Sequence, residues 1–144
     1  LSKDNTGKKI DIRARQFLKK EGLDYAHGTG HGVGFFLNVH EGPQSISKYN
    51  TVKIKKGMIL SNEPGYYKKN NFGIRIENLI YVKKFKNKLF FKNFTLAPIE
   101  KDLINYELLN NIEKDYLFKY HLSIYAEYSD LLNKKERKWL ASLI

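Results

Sequence analysis

A glycine- and histidine-rich stretch from His27 to Pro43 constrains this chain more than any other segment. It contains three of the chain's four histidines, and glycine occupies every second position from Gly28 to Gly34. A helix would place His27 and His31 on one face, but repeated glycine strongly disfavours helix. The stretch is therefore predicted to be a strand or an extended loop. With a side-chain period of two, the histidines point to one side and the glycines leave the other side open to close approach.

Length and composition limit the class of protein. A chain of 144 residues can bury one hydrophobic core, and the absence of cysteine excludes disulfide frameworks and thiolate metal sites. Nothing predicts a transmembrane span or a signal peptide, so we expect a soluble, cytoplasmic protein with no membrane partner. Because the chain begins with Leu1 and its only methionine is Met58, we expect it to belong to a larger polypeptide.

The chain is strongly basic. Lysine and arginine outnumber aspartate and glutamate by 26 to 15, which gives a net charge of +11. Such an excess is compatible with a nucleic-acid partner. The lysines are dispersed near the ends of apolar segments, however, and this favours solvated loops and faces. We therefore expect no nucleic-acid partner.

Hydrophobic periodicity predicts an α+β protein. After a polar start over residues 1–9, an amphipathic helix is predicted over residues 11–21, ended by Gly22. Its inward face would carry Ile10, Ala14, Phe17 and Leu18. A polar connection over residues 44–50 then leads to segments of strand character, separated by turn signals such as Pro64-Gly65. These predicted strands cover residues 51–54, 58–62, 74–82 and 88–95, and they indicate an antiparallel sheet.

The pattern changes to a helical period after residue 95. A helix is predicted over residues 111–132, capped by Asn110 with Glu113, and a second helix begins after Asn133. The first helix would bury an apolar stripe in the core or against a second subunit. That stripe comprises Ile112, Tyr116, Tyr120, Ile124, Tyr128 and Leu131. His121 is predicted to serve in packing. We accordingly divide the chain into a sheet-containing part, residues 1–95, and a helical extension, residues 96–144.

Two further clusters add carboxylates to the histidines. Glu63 follows an apolar strand directly before a Pro-Gly turn, where an unpaired charge is costly and favours a cation or a metal ion. In the next segment, alternation places Ile74 and Ile76 on a face predicted to be core. Arg75 and Glu77 then share the opposite, charged face.

One histidine with two glutamates makes a ligand set of nitrogen and oxygen atoms. Without a thiolate, this set suits Mn, Co, Zn or Fe(II) better than a soft metal. Two such ions about 3.5–4 Å apart can hold a hydroxide that is nucleophilic at neutral pH, which indicates hydrolysis of an acyl bond. Taken alone, the same residues are equally compatible with ion pairs and satisfied polar side chains.

Three motifs in this order resemble those of a known family. They are His-Gly-Thr-Gly-His-Gly-Val-Gly with Leu-Asn-Val-His-Glu-Gly-Pro, then Asn-Glu-Pro-Gly-Tyr-Tyr, then Gly-Ile-Arg-Ile-Glu-Asn. From about residue 5 to its end, the chain resembles the carboxy-terminal part of the Xaa-Pro aminopeptidases (aminopeptidases P) of the pita-bread metallopeptidase family M24B. The larger cytosolic eukaryotic members resemble it most. The resemblance implies half of a pita-bread fold, with a curved antiparallel sheet, flanking helices and a helical tail.

The resemblance also implies a dinuclear metal site with five protein ligands. The ions are usually manganese, with zinc or cobalt as alternatives. His31 would be the histidine ligand, and Glu77 the bridging carboxylate. Glu63 would be a ligand that also orients or deprotonates the hydroxide, which gives it a catalytic role.

The remaining motif residues would serve the substrate and the ligands. His27 and His40 would line the substrate pocket and assist proton transfer, as catalytic residues. Arg75 and Tyr67 would steady the ligands through hydrogen bonds. The substrates implied are peptides with proline at position two, and the resemblance implies a homodimer formed through the carboxy-terminal region.

The family's two aspartate ligands have no counterpart here. Asp4, Asp11 and Asp24 are the only aspartates before His31, and none stands in the family's strand motif. We therefore expect the chain alone to bind metal weakly and to hydrolyse nothing, whereas its parent enzyme does both. Two alternatives stay open: a prolidase, which cleaves Xaa-Pro dipeptides, and a non-catalytic pita-bread module that binds protein or RNA.

Overall fold

The computed structural model describes residues 5–143, so Asp4 and the rest of the first four residues lie outside the described part. The predicted mixture of helices with antiparallel strands is confirmed. The chain divides into two compact units between Thr95 and Leu96. Within residues 5–143, no helix combines the length and the apolar character that crossing a membrane requires.

The first unit begins with helix α1, Gly7–Lys20. The Thr6 side chain caps it by accepting a hydrogen bond from the Lys9 backbone N–H over 3.4 Å. Past its other end, Gly22 has a φ of 69°, a left-handed conformation that glycine adopts without steric cost. The predicted helix is therefore confirmed, except that it starts within the segment predicted to be a polar start.

The most deeply buried residues of α1 are charged, which corrects the predicted apolar inward face only in part: Ile10, Ala14 and Leu18 are half-buried as predicted, and Ile10 packs against the core. Asp11 and Arg15 are 1% and 3% exposed, whereas Phe17 is 63% exposed. Arg15 Nε donates a hydrogen bond to Asp11 Oδ2 over 2.8 Å, one helical turn away. Burial of both groups is tolerated because each charge has a partner.

Within the described residues, seven short strands follow α1, and every pairing among them is antiparallel. Their bounds are β1 Gly30–His31, β2 Ser45–Ile46, β3 Ile59–Asn62, β4 Gly65–Lys68, β5 Phe72–Arg75, β6 Asn78–Phe85 and β7 Lys88–Asn93. They form three sheets, with the orders β1-β2, β3-β6-β7 and β4-β5. An isolated bridge between Gly32 and Leu60 joins the histidine-rich stretch to β3.

The strand bounds differ from the prediction in four places. The predicted strand over residues 51–54 is only an isolated bridge between Lys53 and Thr6. The predicted strand over residues 74–82 is two strands, β5 and β6, and β4 begins at Gly65, where a turn was indicated. Strand β2 lies inside the predicted polar connection, where Ile46 is 1% exposed and so contributes to the core.

The core of the first unit lies between the three-stranded sheet and the segments beside it. Its buried residues are Ile46, Ile54, Leu60, Ile80 and Val82. Ile74 and Ile76 do not join it, since they are 43% and 50% exposed, and this corrects the prediction that they face the core. Residues 72–77 are all exposed in the described structure, so neither face of this segment packs into the core.

The second unit is helical. Helix α2 spans Asn111–Tyr128 and helix α3 spans Lys134–Ser142. Each begins with a capping box, formed by Asn110 with Glu113 and by Asn133 with Glu136. Both helix starts agree with the prediction.

The buried face of α2 only partly matches the predicted stripe. Tyr120 and Ile124 are buried and pack with Leu140 of α3, as members of the core of this unit. The predicted contact of this stripe with a second subunit stays a prediction, but within this unit the stripe is not continuously buried, since Ile112 and Leu131 are 81% and 77% exposed and the rings of Tyr116 and Tyr128 are exposed too. The stripe fails because residues four apart drift around a helix of 3.6 residues per turn.

His121 is buried, and its environment agrees with the predicted packing role. Its Nε2 accepts a hydrogen bond from the Ile99 backbone N–H over 3.1 Å. Burial lowers the pKa of His121, so the ring is held neutral.

Candidate metal centre

His31, Glu63 and Glu77 converge at one end of the three-stranded sheet. Each offers one nitrogen or oxygen atom, and these atoms all lie within 4.8 Å of one another. Strand register explains the convergence. Asn62 of β3 pairs with Asn78 of β6, so Glu63, one residue after β3, meets Glu77, one residue before β6.

The His31 ring is oriented by its own backbone. Its Nδ1 lies 3.0 Å from the carbonyl oxygen of Gly32, which can only accept, so Nδ1 carries the proton. Nε2 therefore presents its lone pair, and it lies 3.5 Å from Oε1 of Glu63. This tautomer is the one in which Nε2 can coordinate a metal ion.

Ser61 connects two of the three candidate ligands, although the sequence analysis did not single it out. Its Oγ accepts a hydrogen bond from the His31 backbone N–H over 2.9 Å and donates to Glu63 Oε1 over 2.9 Å. Ser61 is fully buried. The signal that could have found it is its position two residues before Glu63, since alternate residues of a strand share a face.

The second carboxylate oxygen of Glu63 leads into a chain of hydrogen bonds. Arg75 Nη1 donates to Glu63 Oε2 over 3.1 Å, and Arg75 Nε donates to the Tyr67 hydroxyl over 2.9 Å. The hydrogen bond to Tyr67, with Glu63 nearby, raises the pKa of Arg75, so the guanidinium stays charged.

His27 ends this chain of hydrogen bonds. Its Nε2 lies 2.8 Å from the Tyr67 hydroxyl, and its Nδ1 lies 2.7 Å from the Gly28 carbonyl oxygen. Because that carbonyl can only accept, Nδ1 carries the proton of the neutral ring and Nε2 accepts from Tyr67. The Tyr67 oxygen is then free to accept from Arg75, so the proton directions agree along the whole chain.

His40 lies on the other side of the centre. Its ring centroid is 4.2 Å from that of His31, and His40 is exposed. The structure thus brings all seven predicted site residues into one neighbourhood, at the described distances.

The glycines beside the histidines differ in how closely their surroundings approach. A Cβ on Gly30 would lie 2.0 Å from the Ser61 carbonyl oxygen, and one on Gly32 would lie 2.0 Å from that of Glu41. At Gly28 the nearest atom would be 3.5 Å away, an ordinary contact. Close backbone approach therefore requires glycine on both sides of His31, but not at Gly28.

Family profiles cover nearly the whole chain. The profile described as metallopeptidase family M24 matches residues 1–84, and that of the C-terminal region of peptidase M24 matches residues 87–143. The chain belongs to metallopeptidase family M24. The chain whose carboxylate and imidazole groups meet at this end of the sheet thus belongs to a family of metallopeptidases.

Curated relatives of this M24 chain carry one name repeatedly. A probable Xaa-Pro aminopeptidase P of Botryotinia fuckeliana is 46% identical over 96% of this chain and 23% of its own length. Xaa-Pro aminopeptidase 1 of Dictyostelium discoideum is 48% identical over 96% of this chain and 24% of its own length. The M24 chain therefore spans about a quarter of these relatives.

Solved structures agree with the family and its pita-bread fold. The X-prolyl aminopeptidase of Caenorhabditis elegans, described as a cytosolic enzyme with a di-nuclear active site, is 39% identical, with a TM-score of 0.87. That match covers 97% of the M24 chain and 24% of the nematode enzyme. The prolidase of Thermococcus sibiricus is 33% identical, with a TM-score of 0.53, over 63% of this chain and 24% of that one. The aminopeptidase thus accounts for more of the M24 chain than the prolidase does.

The donor set of the M24 chain fits divalent ions. Two carboxylates within 4.8 Å of each other repel, and a cation between them relieves that repulsion. Imidazole nitrogen with carboxylate oxygen is the ligand chemistry of borderline and hard metal ions. The three residues therefore suit the two divalent ions of a dinuclear metallopeptidase centre.

Proposed function

We propose that this chain supplies the carboxy-terminal part of the catalytic domain of an Xaa-Pro aminopeptidase. The observation that carries the proposal is the convergence of His31, Glu63 and Glu77 within 4.8 Å. The similarity to Xaa-Pro aminopeptidases along 94–96% of the chain supports the same conclusion. In this proposal residues 1–95 form half of the pita-bread domain, and residues 96–144 form its helical extension.

The proposed centre holds two divalent ions, manganese by preference, with zinc or cobalt as alternatives. His31 and Glu63 would each ligate an ion, and Glu77 would bridge the pair. The ions would act as Lewis acids at the scissile carbonyl and activate water. The two aspartate ligands of the family would come from the remainder of the parent protein, by which we mean the longer protein to which this chain belongs.

The side chains around the ions have separate tasks in this proposal. Glu63 orients the attacking water and accepts its proton at a carboxylate oxygen. Water then adds to the carbonyl carbon before proline, the C–N bond breaks, and the proton passes to the proline nitrogen. Arg75 steadies Glu63 through its 3.1 Å hydrogen bond, and Tyr67 joins Arg75 to His27.

His27 and His40 would contact the substrate. His27 Nε2 is joined to Arg75 through the Tyr67 hydroxyl, and these hydrogen bonds orient the ring for the substrate-side role proposed here. The His40 ring lies beside that of His31 and is exposed, so it can line the pocket for the proline ring. Because proline's tertiary amide has no N–H, selection in this proposal depends on ring shape.

The setting of the enzyme is also proposed. The nematode relative is described as cytosolic, and we place this protein in the cytoplasm as well. We further propose a homodimer formed through the carboxy-terminal region.

The decisive experiment assays the parent protein with Mn²⁺ on a tripeptide with proline second and on an Xaa-Pro dipeptide. We expect release of the first residue from the tripeptide, and loss of at least 100-fold in kcat for Glu77→Gln. Glu127→Gln, an exposed carboxylate on α2, is the control and should retain activity. The isolated chain should hydrolyse neither peptide.

Each alternative predicts a different result. Cleavage of the dipeptide alone would establish a prolidase instead. No hydrolysis of either peptide, together with salt-dependent RNA binding that Glu63→Ala leaves unchanged, would establish a non-catalytic RNA-binding module.

A further inference from the structure

Arg15 of α1 lies beneath the histidine-rich stretch and makes four hydrogen bonds. Nη1 donates to Asp24 Oδ1 over 2.6 Å and to the Tyr25 carbonyl oxygen over 2.7 Å. Nη2 donates to the His27 carbonyl oxygen over 2.6 Å, and Nε donates to Asp11 over 2.8 Å. The guanidinium carbon also lies 3.8 Å from the centre of the Tyr25 ring. The buried Arg15 guanidinium therefore binds the backbone carbonyl groups on both sides of Ala26.

Asp11 extends this contact toward Glu63. Its Oδ1 accepts a hydrogen bond from the Thr29 hydroxyl over 2.6 Å. The Tyr25 hydroxyl lies 2.5 Å from that of Thr29 and donates to it, because the Thr29 proton is already used. The Thr29 carbonyl oxygen in turn accepts from the Glu63 backbone N–H over 2.7 Å.

Burying the Arg15–Asp11 ion pair costs desolvation free energy, and a helix that served only in packing would not need it. Replacing a buried ion pair by apolar side chains of similar volume is often neutral or stabilising. Arg15 and Asp11 are 3% and 1% exposed, so packing alone does not explain their charges. What the charges provide is fixed geometry, since a planar guanidinium presents its donors in a rigid fork.

We propose that Arg15, paired with Asp11, is a positioning residue that holds the His27 imidazole in place for the reaction. The inference rests on the proposed function. Arg15 fixes the His27 carbonyl, and the ring must then reach the Tyr67 hydroxyl at 2.8 Å. Displacement of this backbone by about 1 Å would be expected to cost activity without removing any group that touches the substrate.

We call Arg15 with the groups that it bonds, Asp11, Asp24 and the Tyr25 and His27 carbonyl groups, the clamp. Partial burial favours the protonated form of Asp24 and so raises its pKa. Hydrogen bonds from Lys19, Arg15 and Lys48 outweigh this effect and hold the pKa of Asp24 well below its usual range. Burial likewise opposes the charge of Arg15, but the hydrogen bonds to Asp11 and Asp24 raise its pKa. The charges of Arg15 and Asp24 in the clamp therefore do not change near neutral pH, so loss of Arg15 should lower the rate without moving the pH optimum.

The test uses the parent protein with three substitutions on α1. Arg15→Met removes every donor at similar length, and Arg15→Lys keeps the charge but cannot bond two carbonyls and two carboxylates together. Lys19→Met is the matched control, because Lys19 also binds Asp24, over 2.9 Å, yet lies on the exposed side of the helix. We expect kcat on an Xaa-Pro tripeptide to fall about 10–100-fold, about 3–10-fold and less than 2-fold, respectively, with KM nearly unchanged.

A double-mutant cycle separates positioning from general destabilisation. In a His27→Ala background, Arg15→Met should cost less than about 3-fold, because the ring that it positions is already absent. Additive losses would overturn the proposal, as would wild-type kcat in Arg15→Met. If Arg15→Met does not fold, Arg15→Lys decides by the same cycle.

A readout that needs no activity keeps the two proposals apart. Hydrogen–deuterium exchange of a peptide spanning residues 23–30 should accelerate in Arg15→Met and not in Lys19→Met. If the wild-type protein is inactive but exchange accelerates in Arg15→Met, the proposed function is refuted, while the finding that Arg15 holds the backbone stands. If the wild-type protein is active but exchange is unchanged in Arg15→Met, the proposed function stands and the role of Arg15 is refuted.

Discussion

The Ser61 hydroxyl lies 2.9 Å from Oε1 of Glu63, and this bond fixes a candidate ligand through a residue that binds no metal itself. The same Oγ accepts from the His31 backbone N–H, so one buried hydroxyl sets the spacing of two ligands. Partners of this kind contribute to metal affinity because they hold ligands in the coordinating geometry.

We therefore expect Ser61→Ala in the parent protein to weaken Mn²⁺ binding about 10-fold. The substitution removes the donor to Glu63 and leaves the half-buried His31 N–H without its acceptor. Isothermal titration calorimetry on the metal-free protein measures the effect. Ser123→Ala, which removes a hydroxyl bonded to the Tyr120 carbonyl on α2, should leave affinity unchanged. Equal affinity in the two variants would contradict the assigned role of Ser61.

The two glycines before His31 should respond differently to the same substitution. A Cβ at Gly30 would meet the Ser61 carbonyl oxygen at 2.0 Å, whereas one at Gly28 would meet its nearest neighbour at 3.5 Å. We expect Gly30→Ala to lower the free energy of unfolding by about 2 kcal/mol or more, because backbone must move to admit the methyl group. Gly28→Ala should be about neutral or slightly stabilising.

Urea unfolding followed by circular dichroism compares the two glycine variants with the wild type. The measurement is informative because the substitutions add the same group two residues apart. A smaller loss in Gly30→Ala than in Gly28→Ala would show that β1 and β3 are farther apart than described.

The motifs were predictable from sequence because they are local. Glycine at alternate positions excludes helix near His31, and the Pro-Gly after Glu63 marks a strand end. The convergence of Glu63 with Glu77 depends on the pairing of Asn62 with Asn78, which joins distant segments through strand register. Periodicity does not determine register, so the resemblance to a family was needed to bring these residues together.

The most deeply buried residues of α1 could not be predicted from hydrophobicity. Phe17 and Ile12 are 63% and 58% exposed, while the inward positions hold Asp11 and Arg15. A period of 3.6 residues identifies the helix. Charged side chains in such a pattern predict a solvent-exposed face unless their hydrogen-bond partners are known. Those partners are backbone carbonyls at Tyr25 and His27, which the side-chain pattern does not report.

Tyr67→Phe in the parent protein should lower kcat about 10-fold while metal affinity stays nearly unchanged. The hydroxyl bridges His27 and Arg75, and neither of these two residues is a proposed metal ligand. Removing it leaves His27 Nε2 without its donor, so the His27 ring loses orientation, whereas Arg75 keeps its own hydrogen bond to Glu63. Steady-state hydrolysis of an Xaa-Pro tripeptide, with calorimetry for Mn²⁺, measures the two effects separately.

Tyr66→Phe is the matched control for that substitution. Tyr66 is adjacent in β4, and its ring lies 6.0 Å from that of Phe72, away from the hydrogen-bond chain. It should retain the wild-type kcat. An equal loss in both variants would assign the effect to strand β4 as a whole rather than to the hydroxyl between His27 and Arg75.

His121 should make the stability of the helical unit depend on pH. Burial lowers the pKa of His121 in the folded chain below its ordinary value of 6.5, and Nε2 must stay unprotonated to accept from Ile99. Between the folded pKa and about 6.5 the unfolded chain binds the proton and the folded chain does not. The stabilisation is therefore complete above about pH 6.5 and is lost progressively as the pH falls below it.

Fluorescence of the chain's single tryptophan, Trp139 of α3, follows this unit during thermal unfolding. In the wild type we expect the melting temperature to fall as the pH is lowered from about 7 to 5. His121→Gln keeps an acceptor for the Ile99 N–H but cannot titrate, so its melting temperature should change much less over that range. The three other histidines are outside residues 96–144 and are retained in both proteins, so they serve as an internal control. The same pH dependence in both proteins would exclude His121 as its source.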